Sequence, residues 1–314
     1  GIVSEPADGV ENADPRTYDT VTLLSDLGTA DGFVGVIHSV IRQMAPGAGV
    51  VDLTHGIAPF DVRAGSLVLA RSVQFLCPGV IIGMVDPSVG TEQRAIALEV
   101  AGGAAVLLGP DNGLLAPAVG MIGGAERAVV LDNTDLHLPT ASTTFPGRDI
   151  YAPVAAHLCN GVAFADLGSE VDPGSLMPGL VPLTSLEQDA DGVDVLGAEV
   201  LWVDHFGNVQ LNVDPDELDG WGDRIQLRIG TNVRTATRIT AFGQLTTGEI
   251  GLLVDADGLV AVVTDRHPAA EELGLATGDA VALSPIGDDQ PIGVRTAVTI
   301  GRRDPASTPP GGAS

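Results

Sequence analysis

GVIIGMVD, residues 79–86, decides the fold. Seven apolar or glycine residues run together, and the eighth is an acid. A strand with one face in water alternates apolar and polar side chains. A run without alternation is buried on both faces, as in a parallel sheet covered by helices. The acid, Asp86, then falls where the strand leaves the sheet, ahead of the small-residue loop PSVGTEQR (87–94).

The flanking segments repeat this pattern. VTLLSD (21–26), VVDLT (50–54), AIALEV (95–100), AAVLLG (104–109) and RAVVLD (127–132) are short and strand-like. Between them, Phe33, Ile37, Val40, Ile41 and Met44 follow helical spacing, and RAGSLVLARSVQFL (63–76) and DIYAPVAAHLCN (149–160) are helix-like. Strands interleaved with helices predict an α/β domain with a mainly parallel sheet flanked by helices, over 19–172. A Pro/Gly-rich linker follows at 173–189. Beyond it AEVLWVD, VQLNVD, RIQLRIG, GEIGLLVD, GLVAVVTD, DAVALSP and RTAVTIG are evenly spaced and β-branched, and VDADGLV carries an Asp-Gly hairpin signal. They predict a smaller C-terminal all-β, barrel-like domain over 190–304. Residues 1–18 are polar and acidic and predict a loose arm; 305–314 predict a disordered tail.

The 314 residues carry a net charge of −26, and all fifteen basic residues are arginine. Such a surface repels phosphate backbones, so no nucleic-acid partner is expected. Two cysteines, Cys77 and Cys159, are too few for a disulfide framework and sit in apolar contexts that predict buried thiols. No apolar run approaches the roughly 20 residues of a membrane helix. The chain starts at Gly1 rather than Met, which suggests removal of an upstream segment, and no signal peptide is visible in what remains. No membrane partner and a cytoplasmic location are expected.

In a parallel sheet, ligands bind beyond the carboxyl ends of the strands. Four strand ends here are polar: Asp26, His55, Asp86, and Asp111 with Asn112. One such end is ordinary turn chemistry; four together favour a site. Neither GxxxxGK[ST] nor GxGxxG occurs, so the usual phosphate cradles are absent. A carboxylate-rich rim suits ribose hydroxyls and a cationic group, with Phe60 offering an aromatic face to the cation. The six histidines show no metal-ligand spacing, and there is no GxSxG elbow, so neither a bound metal, a cofactor nor a serine nucleophile is expected. In VDHFGNVQLNV (203–213), Phe206 can stack on a heterocycle and Asn208 can donate and accept; an ordinary hairpin turn accounts for the same residues.

SDLGTADGFVG (25–35), VVDLTHGIAPFDVRAG (50–65), VDPSVGT (85–91), GPDNGLL (109–115), TFPGRDIYAPVAAHL (144–158) and DHFGNVQLNV (204–213) together resemble the S-adenosyl-L-methionine (SAM) hydroxide adenosyltransferases, relatives of the fluorinases and chlorinases. GLVAVVTDRHPAAEELG (258–274) adds a weaker match. The resemblance implies an α/β domain and a small β-barrel, assembled as a homotrimer with sites between subunits, and SAM as substrate. It implies that Asp26 holds the ribose hydroxyls, Phe60 flanks ribose and sulfonium, Asp204 binds the methionine amine, and Phe206 and Asn208 hold adenine. Gly147 matches a position that is glycine in hydrolases and chlorinases and serine in fluorinases.

Halogenases of this family carry an aromatic hydroxyl where this chain has Asp86. A carboxylate about 4 Å from a halide would repel it by roughly 4 kcal/mol at an effective dielectric constant of about 20. Asp86 therefore favours water. Hydrolases of the family share an Asp, Arg, His set. The arginine position is Gln93 here, with Arg94 one place later, and the histidine position is Pro146. In extended chain a one-residue shift turns a side chain to the other face. Hydrolysis of SAM to adenosine and methionine is the leading expectation. Chloride-dependent formation of 5′-chloroadenosine, and SAM or adenosine binding with little turnover, are the alternatives.

Overall fold

A computed structural model of the chain describes residues 17–140 and 142–286. Most of the arm, the strand expected in RTAVTIG (295–301) and the tail lie outside these residues. The chain divides into two compact units, Gly1–Val181 and Pro182–Ser314.

The first unit runs β1 (Thr20–Ser25), α1 (Phe33–Met44), β2 (Gly49–Thr54), α2 (Val62–Ser72), β3 (Gly79–Met84), β4 (Ala95–Val100), β5 (Ala105–Pro110), α3 (Ala116–Met121), β6 (Ala125–Val130), α4 (Ala152–Cys159) and β7 (Ser169–Val171). Its seven strands order as β2-β1-β3-β5-β4-β6-β7. β2, β1, β3 and β5 pair in parallel, with Val21 beside Val80 and Leu23 beside Ile82. β5, β4, β6 and β7 pair antiparallel, so the sheet is mixed and its parallel half carries the predicted site. The switch has a local cause. Only AGGA (101–104) joins β4 to β5, whereas a parallel crossover needs about a dozen residues. Ala101, Gly102 and Gly103 turn the chain with φ of 52°, 63° and 76°.

All six residues of β3 are buried, as its unbroken apolar run requires. Val21, Leu23, Val80, Ile82, Val106 and Leu108 face one layer, where they meet Ile37 and Ile41 of α1 and Val154, Ala155 and Leu158 of α4. On the other face α2 packs against α3. There a Cβ on Gly65 would lie 2.9 Å from Leu114 Cδ1 and 3.7 Å from Leu24 Cδ2, so glycine lets α2 approach the sheet. The helix expected over 149–160 begins instead as a π-helical turn, Gly147–Tyr151, and becomes α4 at Ala152. Pro153 has no N–H to donate to the Asp149 carbonyl, and that carbonyl accepts from Leu138 N–H at 2.9 Å. Cys77 is exposed, against expectation, and Cys159 is half-buried. Cys77 lies in the surface turn before β3, where the apolar neighbours Leu76 and Pro78 do not enclose it.

The second unit contains β8 (Ser185–Gln188), β9 (Asp194–Val203), β10 (Val209–Leu211), β11 (Arg224–Ile229), β12 (Asn232–Arg238), β13 (Ile250–Val254), β14 (Val260–Thr264), α5 (Ala269–Leu273) and β15 (Ala280–Pro285). The order β10-β14-β13-β12-β11-β15-β9 closes through β9–β10 pairing into a seven-stranded barrel. β8, which falls in the stretch that composition assigns to the linker, pairs with the first half of β9. The Asp-Gly signal lies in the β13–β14 connection, where Gly258 takes φ 84° and Asp255 N–H donates to the Leu259 carbonyl. Leu196, Val200, Val209, Leu211, Ile225, Leu227, Val262 and Leu283 fill the core.

Candidate active site

β1 and β3 are parallel neighbours, so both deliver their next residues to the same rim of the sheet. Asp26 N–H donates to the Met84 carbonyl at 3.3 Å, which holds Asp26 at the end of β3. Its Oδ2 accepts from Phe60 N–H at 2.8 Å. Phe60 has φ 68°, and its ring is 66% exposed. A bulky residue in the left-handed region is a strained choice, of the kind that clusters at ligand sites. The backbone thus joins the expected ribose acid to the expected aromatic wall.

Asp86 follows two residues after β3. Its Oδ1 accepts from Ser88 N–H at 2.8 Å; among the described residues, Oδ2 has no protein donor. Burial raises the Asp86 carboxyl above its ordinary value, and the Asp26 charge adds to the rise against the Ser88 hydrogen bond. A half-buried carboxylate with one free oxygen and raised basicity is equipped to take a proton from water.

Gln93 and Arg94 both reach Asp111. Gln93 Nε2 donates to the Asp111 carbonyl at 2.5 Å. Arg94 Nε donates to Asp111 Oδ2 at 3.1 Å, and its Nη2 donates to the same oxygen. Asp111 is buried, and its other oxygen accepts from Met177 N–H. Asn112 Nδ2 donates to the Val85 carbonyl at 2.9 Å. The polar end of β5 therefore braces the loop behind Asp86. Gly147, also buried, starts the π-helical turn, where a Cβ would lie 2.9 Å from Met84 Sδ and 3.0 Å from Ile37 Cδ1.

In the second unit Asp204, Phe206 and Asn208 form the β9–β10 turn. Asp204 Oδ1 accepts from the Phe206 and Asn208 N–H groups, and Oδ2 accepts from Asn208 Nδ2 at 2.8 Å. Gly207 has φ 81°, and Phe206 is 75% exposed. Turn chemistry and ligand reading are compatible here, since the acid fixes the turn that holds the ring outward.

A polar cluster behind Asp26 leaves no mark in residue spacing. Ser25 Oγ lies 2.7 Å from His55 Nδ1, and His55 Nε2 lies 2.9 Å from Asp52 Oδ1. His38 Nε2 lies 2.8 Å from the same oxygen. Burial pushes the Asp52 carboxyl up, but contacts with His55 and His38 outweigh it and hold the group below its usual value. Ser25 is fully buried, so this serine, histidine and aspartate cannot meet a substrate as a nucleophilic triad. A cavity of about 720 Å³ lies at the opposite end of the sheet, beside Asp19, Pro78 and Ala104. Its Cys159 thiol is pushed up to about 11 by burial and is inert at neutral pH.

Residues 21–168 match the SAM hydroxide adenosyltransferase N-terminal domain, and residues 198–282 match the C-terminal domain of the same family. An (R)-S-adenosyl-L-methionine hydrolase of Salinispora tropica is 43% identical over 259 residues, 82% of this chain and 95% of that protein. A fluorinase of Actinoplanes sp. is 25% identical over 295 residues, 84% of this chain and 97% of that one. Among solved structures, a conserved protein of Thermotoga maritima superposes with a TM-score of 0.76 at 31% identity, over 84% of this chain and 99% of that one.

Proposed function

Because the chain belongs to the SAM hydroxide adenosyltransferase family, we propose that it is a SAM hydrolase in which water attacks the ribose C5′ carbon, giving adenosine and L-methionine. The observation that carries the choice of nucleophile is Asp86, half-buried at the end of β3 with its carboxyl raised by burial and by Asp26. A carboxylate there repels a halide and accepts a proton from water.

The displacement is in line. The new bond forms between the water oxygen and C5′; the bond from C5′ to sulfur breaks, and its electron pair leaves with methionine as a neutral thioether. No general acid is needed. Water loses its proton to Asp86, a contribution of about 10²–10⁴-fold. Holding water in line with the carbon supplies up to about 7–11 kcal/mol. Asp26 binds the ribose hydroxyls and Phe60 faces the sulfonium. Asp204 takes the methionine ammonium, and Phe206 and Asn208 take adenine. Gly147 leaves room beside Met84. Gln93 and Arg94 act through Asp111, fixing the loop on which Asp86 sits. By resemblance to the family, the chain assembles as a homotrimer with sites between subunits and works in the cytoplasm.

Incubation with SAM at graded chloride tests the reaction. Adenosine and methionine should appear in equal amounts at every chloride concentration. Chloride-dependent 5′-chloroadenosine without adenosine would make the chain a halogenase. SAM binding without release of methionine over hours would make it a binding protein. Asp86→Ala should lower turnover about 10²–10⁴-fold with little change in SAM affinity. An unchanged rate would remove the role given to Asp86.

A further inference from the structure

A cluster of metal-ligating side chains lies behind Asp26. His38 projects from α1, Asp52 from β2, and His55 from the loop after β2. One Asp52 oxygen lies 2.8 Å from His38 Nε2 and 2.9 Å from His55 Nε2. The three ligand atoms all fall within 4.8 Å of one another. We propose that His38, Asp52 and His55 bind one divalent transition-metal ion of the zinc class, with water completing the shell.

Four observations point there. Two imidazole nitrogens and one carboxylate oxygen suit zinc and its neighbours, whereas magnesium and calcium prefer all-oxygen shells. The His55 side chain is buried, and among the described residues its Nε2 makes no hydrogen bond of normal geometry, its nearest polar neighbour being Asp52 Oδ1 at 2.9 Å. His55 Nδ1 is engaged by Ser25 Oγ at 2.7 Å, and that oxygen also accepts from Leu27 N–H. Metal-bound histidines are oriented in this way through their second nitrogen. Finally, the His38 and Asp52 side chains are 35% and 42% exposed, which leaves an entry path and room for water.

The two nitrogen-to-carboxylate separations need little change, and the two Nε2 atoms lie within 4.8 Å of each other. Zinc bonds of about 2.0–2.2 Å place tetrahedral ligands roughly 3.3 Å apart. The present separations are 2.8 and 2.9 Å. The two exposed side chains can open by the difference, while His55 stays fixed. The position is informative as well. The His55 carbonyl accepts from Gly28 N–H at 2.8 Å, and Ser25 directly precedes Asp26. A bound ion would tie α1 and β2 to the loop that carries Asp26. No step of the proposed displacement passes through it.

The test strips the full chain with a chelator, then titrates zinc against a chromogenic competitor. One zinc per chain should bind, at least about tenfold more tightly than to His38→Ala or to Asp52→Asn. Zinc should raise the unfolding temperature of the unsubstituted chain and not that of either variant. Magnesium at equal concentration should neither compete nor stabilise. Asp52→Asn is isosteric and His38 is half-exposed, so both variants keep the fold. Absence of zinc binding, equal affinity in the chain and both variants, or equal competition by magnesium would overturn the proposal.

Discussion

Asp86 is held in conflict: half-burial and the nearby Asp26 charge disfavour its ionised form, and one Ser88 N–H favours it. The balance raises its proton affinity, and the sign of two effects follows. As pH falls through the raised value, the carboxyl takes up a proton and can no longer accept one from water. The acid limb of kcat against pH should therefore lie above 3.8, the ordinary aspartate value. In Asp26→Asn the limb should move down, because a like charge is gone; an unmoved limb would show that another group sets it. Stability has the reverse trend. A carboxyl whose folded pKa exceeds its unfolded one binds more protons when folded, so its stabilising contribution falls as pH rises between the two values. Asp86→Asn at neutral pH should unfold at no lower temperature than the parent while losing turnover, measured by calorimetry beside adenosine release. The positions of Asp26 and Asp86 at strand ends, and of Phe60 in the loop after β2, were legible in sequence because each lies just beyond a short apolar run or in the loop that follows one. The contacts of His38 with Asp52 and of Arg94 with Asp111 were not, because the first pair lies 14 residues apart on α1 and β2, and the second 17 apart at the open end of the β4–β5 hairpin. No single-element period marks such pairs.

The π-helical turn packs against the end of β3, where the proposed site lies. Gly147 opens it against Met84, the last residue of β3, and Asp86 follows two positions later. A side chain at 147 would press on Met84 Sδ at 2.9 Å, Ile37 Cδ1 at 3.0 Å and Phe145 at 3.2 Å. Gly147→Ser should cost about 1–3 kcal/mol by overpacking, seen as a lower unfolding temperature. Turnover should fall with it, because the Met84 side chain at the end of β3 must shift. Gly147→Ala should show nearly the same loss; full tolerance of alanine would mean that the hydroxyl, not the volume, is excluded. The sequence announced this helix by its apolar content but not its widened first turn, although Pro153 holds the cause. The β4–β5 hairpin was likewise written in AGGA (101–104), where four residues are too few for a crossover. By contrast SLEQ, which forms β8, is exposed throughout and draws its strand character from pairing with β9. Its own side chains carry no signal.

At the scale of the whole molecule, 41 acids against 15 arginines make charge a long-range property of the chain. Like charges on the folded surface repel, and salt screens them: the screening length falls from about 30 Å at 0.01 M to about 3 Å at 1 M. The unfolding temperature should rise over that range. Sodium chloride and sodium sulfate at equal ionic strength separate the causes, since screening gives equal gains and sulfate exclusion from the surface gives more with sulfate. The substrate feels the same field with opposite consequence. SAM carries a sulfonium and an ammonium against one carboxylate, so a net negative surface attracts it and salt weakens that attraction. KM should climb about two- to tenfold from 0.05 to 1 M salt while kcat holds nearly constant, because in the proposed mechanism water and Asp86 meet the carbon inside the bound complex. Chloride-free sulfate should give the same KM trend. A kcat that rose with chloride but not with sulfate would return the argument to Asp86 and to a halide as nucleophile. Parallel trends in both salts would leave water in place, with the charge that loosens the fold also gathering the substrate.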